Sequence, residues 1–178
     1  MKQESRIFFQ ERDILVRSME QTDAQIICDE EIAQGWHQTV EKYEMRLEHA
    51  RKGICISLVA EYQGQVAGYI NVYREGLDGA FAGRGWPEIV DFGVLEKFRC
   101  RGIGSVLMDV AERIAGEYAD TVWLGVGLHS GYGSAQRMYV KRGYIPDGTG
   151  AWYGDQVAAP YEDYCNDDDF VLFMSKKL

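Results

Sequence analysis

A chain of 178 residues, 46% hydrophobic and 26% charged, is long enough to bury a core and has the make-up of an ordinary globular protein, so a single α/β domain over 1–178 is expected. Its net charge of −9 and pI near 4.8 argue against nucleic acid as a partner, which would need clustered Lys and Arg; an acidic balance suits a cationic substrate such as an amine, or simply solubility. The opening MKQESRIFFQER is charged, without a long apolar run, and no stretch is long enough to cross a bilayer, so a soluble cytoplasmic protein with no membrane partner is expected.

Asp13 to Met19 is a short apolar run suited to a first strand. Thr22 to Gln25, T-x-x-Q, offers a capping box for a helix with the apolar face Ala24, Cys28, Ile32 and Trp36. Thr39 is placed to cap a second helix with the stripe Val40, Tyr43, Leu47 and Ala50, with Arg51 and Lys52 at its negative end and Gly53 as its stop. Ile54 to Tyr62 and Gln65 to Tyr73, rich in apolar and β-branched residues and joined by Gln63-Gly64, read as a hairpin. The segment REGLDGAFAGRGWP, with Gly76, Gly79, Gly83 and Gly85, reads first as a long mobile connection and second as a flap over a substrate.

Glu88 to Leu95 is the central strand, and Ile103, Val106, Leu107, Val110 and Ile114 mark a helix from Gly102 to about Tyr118. Thr121 to Leu128 is the next strand, parallel to the central one because a helix crosses between them. Ser134 to Arg142 is a short helix stopped by Gly143, and Tyr144-Ile145 opens another strand. Pro146 to Asp169 is loop-rich, aromatic and acidic, and Phe170 to Ser175 closes the chain as a strand. The four cysteines, Cys28, Cys55, Cys100 and Cys165, lie far apart with no C-x-x-C pair. They read as reduced thiols rather than a zinc site or a disulfide framework. His37 and His49 on the predicted helices suggest no metal site either.

The chemistry-bearing stretch is Glu88 to Ser105. Arg99, Gly102 and Gly104 stand in the spacing R-x-x-G-x-G between a strand and an amphipathic helix. Backbone N–H groups and the positive end of the helix dipole converge there, as binding of an anion such as a pyrophosphate requires. Glycine at 102 and 104 lets the ligand approach the backbone.

Glu88 six residues before Val94, then R-x-x-G-x-G, a helix, a strand, and Ala135-x-x-x-Tyr139-x-x-x-Gly143-Tyr144 resemble the GCN5-related N-acetyltransferase (GNAT) superfamily over roughly residues 88–144. The order of elements on both sides fits that fold as well. The resemblance implies the acyl-CoA N-acyltransferase fold: a mixed, mostly antiparallel central sheet whose fourth and fifth strands form a parallel pair splayed around the cofactor. It implies acetyl-CoA as cosubstrate, with the pyrophosphate on the N–H groups of Arg99, Cys100, Arg101, Gly102, Ile103, Gly104 and Ser105. The pantetheine arm would pair with backbone at Phe92, Gly93 and Val94, and Gly93 would suit the strand distortion the family shows there.

Direct attack of an amine on a thioester needs a deprotonated amine, a donor for the oxyanion and an acid for the departing thiolate. A backbone N–H near Val94 is the natural oxyanion donor. Tyr139 matches the family's usual general acid, against the plainer reading of a half-buried core tyrosine. Glu88 matches the base of the family's histone-modifying branch, or serves only to attract a cation. A Glu of pKa about 4.3 facing an amine of about 10.4 needs a raised pKa, a water relay or an amine that arrives neutral. Asp91, on the opposite strand face, is the reserve candidate. The asparagine that the family often carries three residues before the alanine is Tyr132 here, so that contact to the cofactor is not expected; His129 nearby is a candidate to touch substrate or act as base, or a solvated loop histidine. Trp152, Tyr153, Tyr161 and Tyr164 among carboxylates suit a cationic, partly apolar acceptor, a homodimer contact or a packed surface loop. The leading expectation is an acetyl-CoA-dependent N-acetyltransferase acting on a primary amine of a small molecule. A protein or peptide N-acetyltransferase and a non-catalytic acyl-CoA-binding sensor are the alternatives.

Overall fold

The computed structural model describes residues 6–76 and 78–178. The start of the charged N-terminal stretch, and Leu77 of the glycine-bearing connection, lie outside the described residues. Strands β1 (Ile7–Glu11), β2 (Ile14–Ser18), β3 (Cys55–Tyr62), β4 (Gln65–Tyr73), β5 (Glu88–Val94), β6 (Thr121–Gly127), β7 (Ile145–Tyr153), β8 (Gln156–Val157) and β9 (Phe170–Lys177) alternate with helices α1 (Gln21–Ala33), α2 (Val40–Arg51), α3 (Ile103–Ala115) and α4 (Gly133–Lys141). The strands form a mixed sheet in the order β1-β2-β3-β4-β5-β6-β9-β7-β8. The chain divides into two compact units, Met1–Tyr73 with Val90–Ile114, and Arg74–Ile89 with Ala115–Leu178.

In the first unit, β1 to β4 run antiparallel. Strand β1 is not foreseen by the sequence reading, which starts at Asp13; the hairpin turns at Arg12, a non-glycine residue with φ 52, so no glycine or proline announces it. The β3–β4 hairpin turns where expected, with Gln63 at φ 51 and Gly64 at φ 77, the pair of left-handed residues that matches the twist of two strands. Helix α1 begins two residues earlier than the Thr22 box implies. Its N-cap is Glu20, whose N–H donates to Asp23 Oδ2 at 2.6 Å, and Arg17 holds the same carboxylate at 2.6 Å. The buried face of α1 is Asp23, Ala24, Ile27, Cys28 and Glu31, whereas Ile32 is 52% exposed. Helix α2 follows Thr39, which makes no side-chain cap, buries Tyr43 and Leu47 as expected, and stops at Gly53 with φ 71. These faces join Val59 and Tyr69 in one apolar cluster.

Two strands of the first unit approach closely. A Cβ at Gly68 of β4 would lie 2.7 Å from the Gly93 carbonyl of β5 and 3.1 Å from Leu107 Cδ1 of α3. Gly68→Ala is therefore expected to lower stability by roughly 1–3 kcal/mol through overpacking against main chain, read as an earlier midpoint in urea unfolding. An unchanged midpoint would mean that the strands separate at little cost.

In the second unit β5 and β6 are parallel through Glu88↔Trp123 and Ile89↔Leu124. The parallel pair is thus fifth and sixth rather than fourth and fifth, because β1 adds a strand ahead of it. β6, β9 and β7 are antiparallel. The segment expected as loop from Pro146 onward continues β7 to Tyr153 and adds β8, with Gly148 and Gly150 at φ 91 and 92 where the register shifts between Pro146 and Ala151. The glycine-bearing connection 74–87 is anchored, not loose. Phe81, 6% exposed, packs with Trp123 and Phe173, flanked by Trp86 and Trp152, and Trp123 Nε1 donates to Trp86 O at 3.2 Å. Among the described residues no helix is long and apolar enough to cross a membrane.

Candidate active site

The turn expected to bind an anion follows β5 through a single 3-10 turn, Glu96–Phe98, whose buried Phe98 fixes it to the first unit. Arg99 is extended, Cys100 has φ 60 and Gly102 has φ 83. Left-handed residues at both positions curl the main chain so that its N–H groups can point inward, the geometry of an anion nest. The Arg99 N–H donates to Glu96 O at 3.1 Å, so that predicted donor is used inside the turn. The first bond of α3 runs from Val106 N–H to Gly102 O at 3.1 Å. The N–H groups of Ile103, Gly104 and Ser105 precede it, belong to no helical ladder, and sit at the positive end of a 13-residue helix.

The two glycines of the turn have different surroundings. A Cβ at Gly102 would meet nothing within 4 Å, while one at Gly104 would come 3.3 Å from Phe92 Cζ and 3.5 Å from Val94 Cγ2. The predicted cradle and the predicted pantetheine edge are therefore brought together in one unit. The guanidinium of Arg99 lies 3.2 Å from Glu96 and that of Arg101 sits 5.0 Å over the Tyr62 ring, so these side chains flank the turn on carboxylate and aromatic partners. Cys100 is exposed.

β5 carries its distortion two residues ahead of where the sequence puts it. The left-handed residue is Asp91, φ 50, and Gly93 is not among the positive-φ residues. Gly93 is needed for space: a Cβ there would lie 2.8 Å from Tyr69 Cε1. Asp91 does not stand ready as a base, since Arg46 Nε holds it at 2.7 Å and Lys42 Nζ at 3.5 Å. Behind Tyr69 lies a group the sequence reading misses. Glu31, 1% exposed, accepts from Tyr69 OH at 2.6 Å and from Tyr43 OH; burial of the two phenols, and after it the neighbouring Glu31 carboxylate, pushes both upward in pKa. The signal was available: 24, 27, 28 and 31 are one helical face, so a glutamate at the last of them falls on the core side.

In the second unit Glu88 opens β5, half-buried; a Cβ at Gly76 would meet its Oε2 at 2.7 Å and Trp123 Cζ2 at 1.9 Å. The connection 74–87 thus rests on Glu88. Tyr139 is 5% exposed on α4, its ring 5.6 Å from that of Tyr144. Burial alone pushes its phenol upward, so it keeps its proton through neutral and mildly alkaline pH and is equipped to give one rather than take one. His129 has both ring nitrogens engaged: Nδ1 accepts from Gly131 N–H at 3.1 Å and Nε2 faces Asp168 Oδ1 at 3.1 Å. It closes the turn between β6 and α4 rather than presenting a lone pair. Tyr132, in the place of the family's asparagine, donates to Asp168 at 2.8 Å, and its ring covers Gly127. Of the late aromatics, Tyr164 stacks on Phe170 with ring centroids 5.7 Å apart and Tyr153 packs beside both; Trp152 stands on Phe173. That is a packed surface ladder, with Tyr161 fully exposed outside it. Among the described residues no three His, Cys, Asp or Glu side chains form a group that could hold a metal.

Residues 20–144 match the Acetyltransferase (GNAT) family. No curated protein matches the chain in sequence. Among solved structures it is similar to Ard1 from Thermoplasma volcanium, with 20% identity, TM-score 0.68, and 94% of this chain and 99% of that one covered. It is similar to the Salmonella typhimurium acetyl transferase that modifies the N-terminal serine of 50S ribosomal subunit protein L7/L12, with 10% identity, TM-score 0.70, and coverage of 97% and 99%. A RimL ribosomal L7/L12 alpha-N-protein acetyltransferase in complex with coenzyme A has 9% identity, TM-score 0.71, and coverage of 97% and 98%.

Proposed function

From the premise that the chain belongs to the acetyltransferase (GNAT) family, enzymes that take the acetyl group from acetyl-CoA, we propose an N-acetyltransferase whose acceptor is the α-amino group of a polypeptide. The observation that carries the donor half is the turn itself: left-handed Cys100 and Gly102, then three N–H groups ahead of the first bond of α3. Cys100 to Ser105 hold the diphosphate, and Phe92, Gly93 and Val94 offer the main-chain edge for the pantetheine arm. A bound thioester supplies an activated acyl carbon. The Val94 N–H takes the role of oxyanion donor, and Tyr139 gives its proton to the leaving sulfur. Proton removal from the amine is the harder step for a carboxylate. A lysine side chain, at about 10.4, lies some six units above a glutamate, whereas an α-amine, at about 7.7–8.0, arrives partly neutral at physiological pH. Glu88 then only attracts the ammonium, which loses its proton to water before the neutral amine attacks the thioester carbonyl. That chemistry supports an N-terminal acceptor over an alkyl amine, and so does the company of alpha-N-protein acetyltransferases among similar folds.

A screen of CoA release across free-N-terminal peptides, the same peptides pre-acetylated, lysine-only peptides, aminoglycosides and simple amines tests this. The free-N-terminal peptides are expected to turn over and their blocked forms not. Faster turnover of aminoglycosides or simple amines would make a small molecule the acceptor. Acetyl-CoA binding with no turnover anywhere would leave a sensor.

A further inference from the structure

Asp91 is the one residue of β5 with a left-handed backbone, φ 50. For a residue with a side chain that conformation is uncommon and persists where surroundings impose it. Its consequence is local and mechanical. Side chains alternate along a strand, so a left-handed residue resets which way the next three point. After Asp91, Phe92 and Val94 both turn toward Gly104, and Gly93 turns toward Tyr69.

Nothing in the neighbouring sequence asks for that turn; the partners come from α2. Arg46 Nε meets Asp91 Oδ2 at 2.7 Å and Lys42 Nζ meets Oδ1 at 3.5 Å. The two cations stand four residues apart on one helix face and grip both oxygens. The guanidinium is itself anchored, since Arg46 Nη1 donates to Tyr73 OH at the end of β4, and that hydroxyl also lies 2.7 Å from His49 Nδ1. Ser57 of β3 donates to Arg46 O at 3.3 Å. With side-chain exposures of 16% for Arg46 and 19% for Asp91, this is no loose surface pair.

We infer that Arg46 is a positioning residue for the donor site: by clamping Asp91 in its left-handed conformation it sets the edge Phe92–Val94 against the anion-binding turn. The inference rests on the reading of that edge as the pantetheine site. Three variants test it, Arg46→Gln, Asp91→Gly and the two together, each first shown to be folded by its thermal transition. Arg46→Gln is expected to weaken acetyl-CoA binding by calorimetry about tenfold. Adding Asp91→Gly to it is expected to recover most of that loss, because glycine adopts φ 50 without a clamp. Amide exchange at residues 92–95 should follow the same order, faster in Arg46→Gln and slowed again in the double variant. A loss that persists undiminished in the double variant, or an Arg46→Gln protein that binds and exchanges like the parent, overturns the clamp. If the parent itself does not bind acetyl-CoA, the donor reading fails, while the exchange pattern still tests the clamp.

Discussion

Replacing Tyr139 with Phe is expected to lower turnover by about two to four orders of magnitude, the usual contribution of a positioned general acid, with acetyl-CoA affinity kept. The substitution removes one oxygen and leaves the ring, so the packing against Tyr144 at 5.6 Å survives. What disappears is a proton held by a buried phenol whose pKa burial has pushed upward. The sign of that shift gives a second readout. An acid works while protonated, so raising its pKa moves the alkaline limb of kcat to higher pH, beyond the ordinary phenol value of about 10. The parent enzyme should therefore show no loss from this group at pH 9. Calorimetry with acetyl-CoA and a pH–rate profile on both proteins decide the matter. A phenylalanine variant that turns over at the parent rate would assign the thiolate's proton to another donor.

Gly102→Asp should abolish acetyl-CoA binding, with a loss of at least about a hundredfold. A carboxylate about 4 Å from one phosphate charge is repelled by roughly 4 kcal/mol at the effective dielectric of a protein surface, and about 1.4 kcal/mol is worth a factor of ten. Position 102 is the better choice for the test because its side chain would enter open space, whereas one at 104 would crowd Phe92 and Val94. The left-handed φ of 83 adds backbone strain, of the order of 1–2 kcal/mol. Gly102→Ala carries the same strain without the charge and is the control. Calorimetry that finds equal affinities in Asp, Ala and parent proteins, all folded, would remove the diphosphate from this turn.

The turn was readable in the sequence because all its determinants are local: two glycines, a helix start and a strand end within a few residues. So were the β3–β4 hairpin, announced by Gln63-Gly64, and the crossover that makes β5 and β6 parallel. Strand β1 was not, since Arg12 takes a left-handed turn without a residue type that advertises it. The cap of α1 lies at Glu20 rather than Thr22 because Asp23 is drawn into an ion pair with Arg17. The distortion of β5 falls on Asp91 because Arg46, 45 residues away, holds it there. The connection 74–87 was read as mobile from its glycines, while its order comes from Phe81 and Trp86 meeting Trp123 and Phe173. In the last two cases the deciding partner is distant in the chain, and pattern within a window does not reach it.

Glu31 has a consequence for how this molecule can move. Its two oxygens receive phenols from α2 and from β4, so one carboxylate of α1 ties three elements at a fixed register. Advancing either helix by one turn, about 5.4 Å, would strand a charge in the core and leave two hydroxyls without an acceptor. Sliding is thereby forbidden to α1 and α2. They can shift only as one body together with β4.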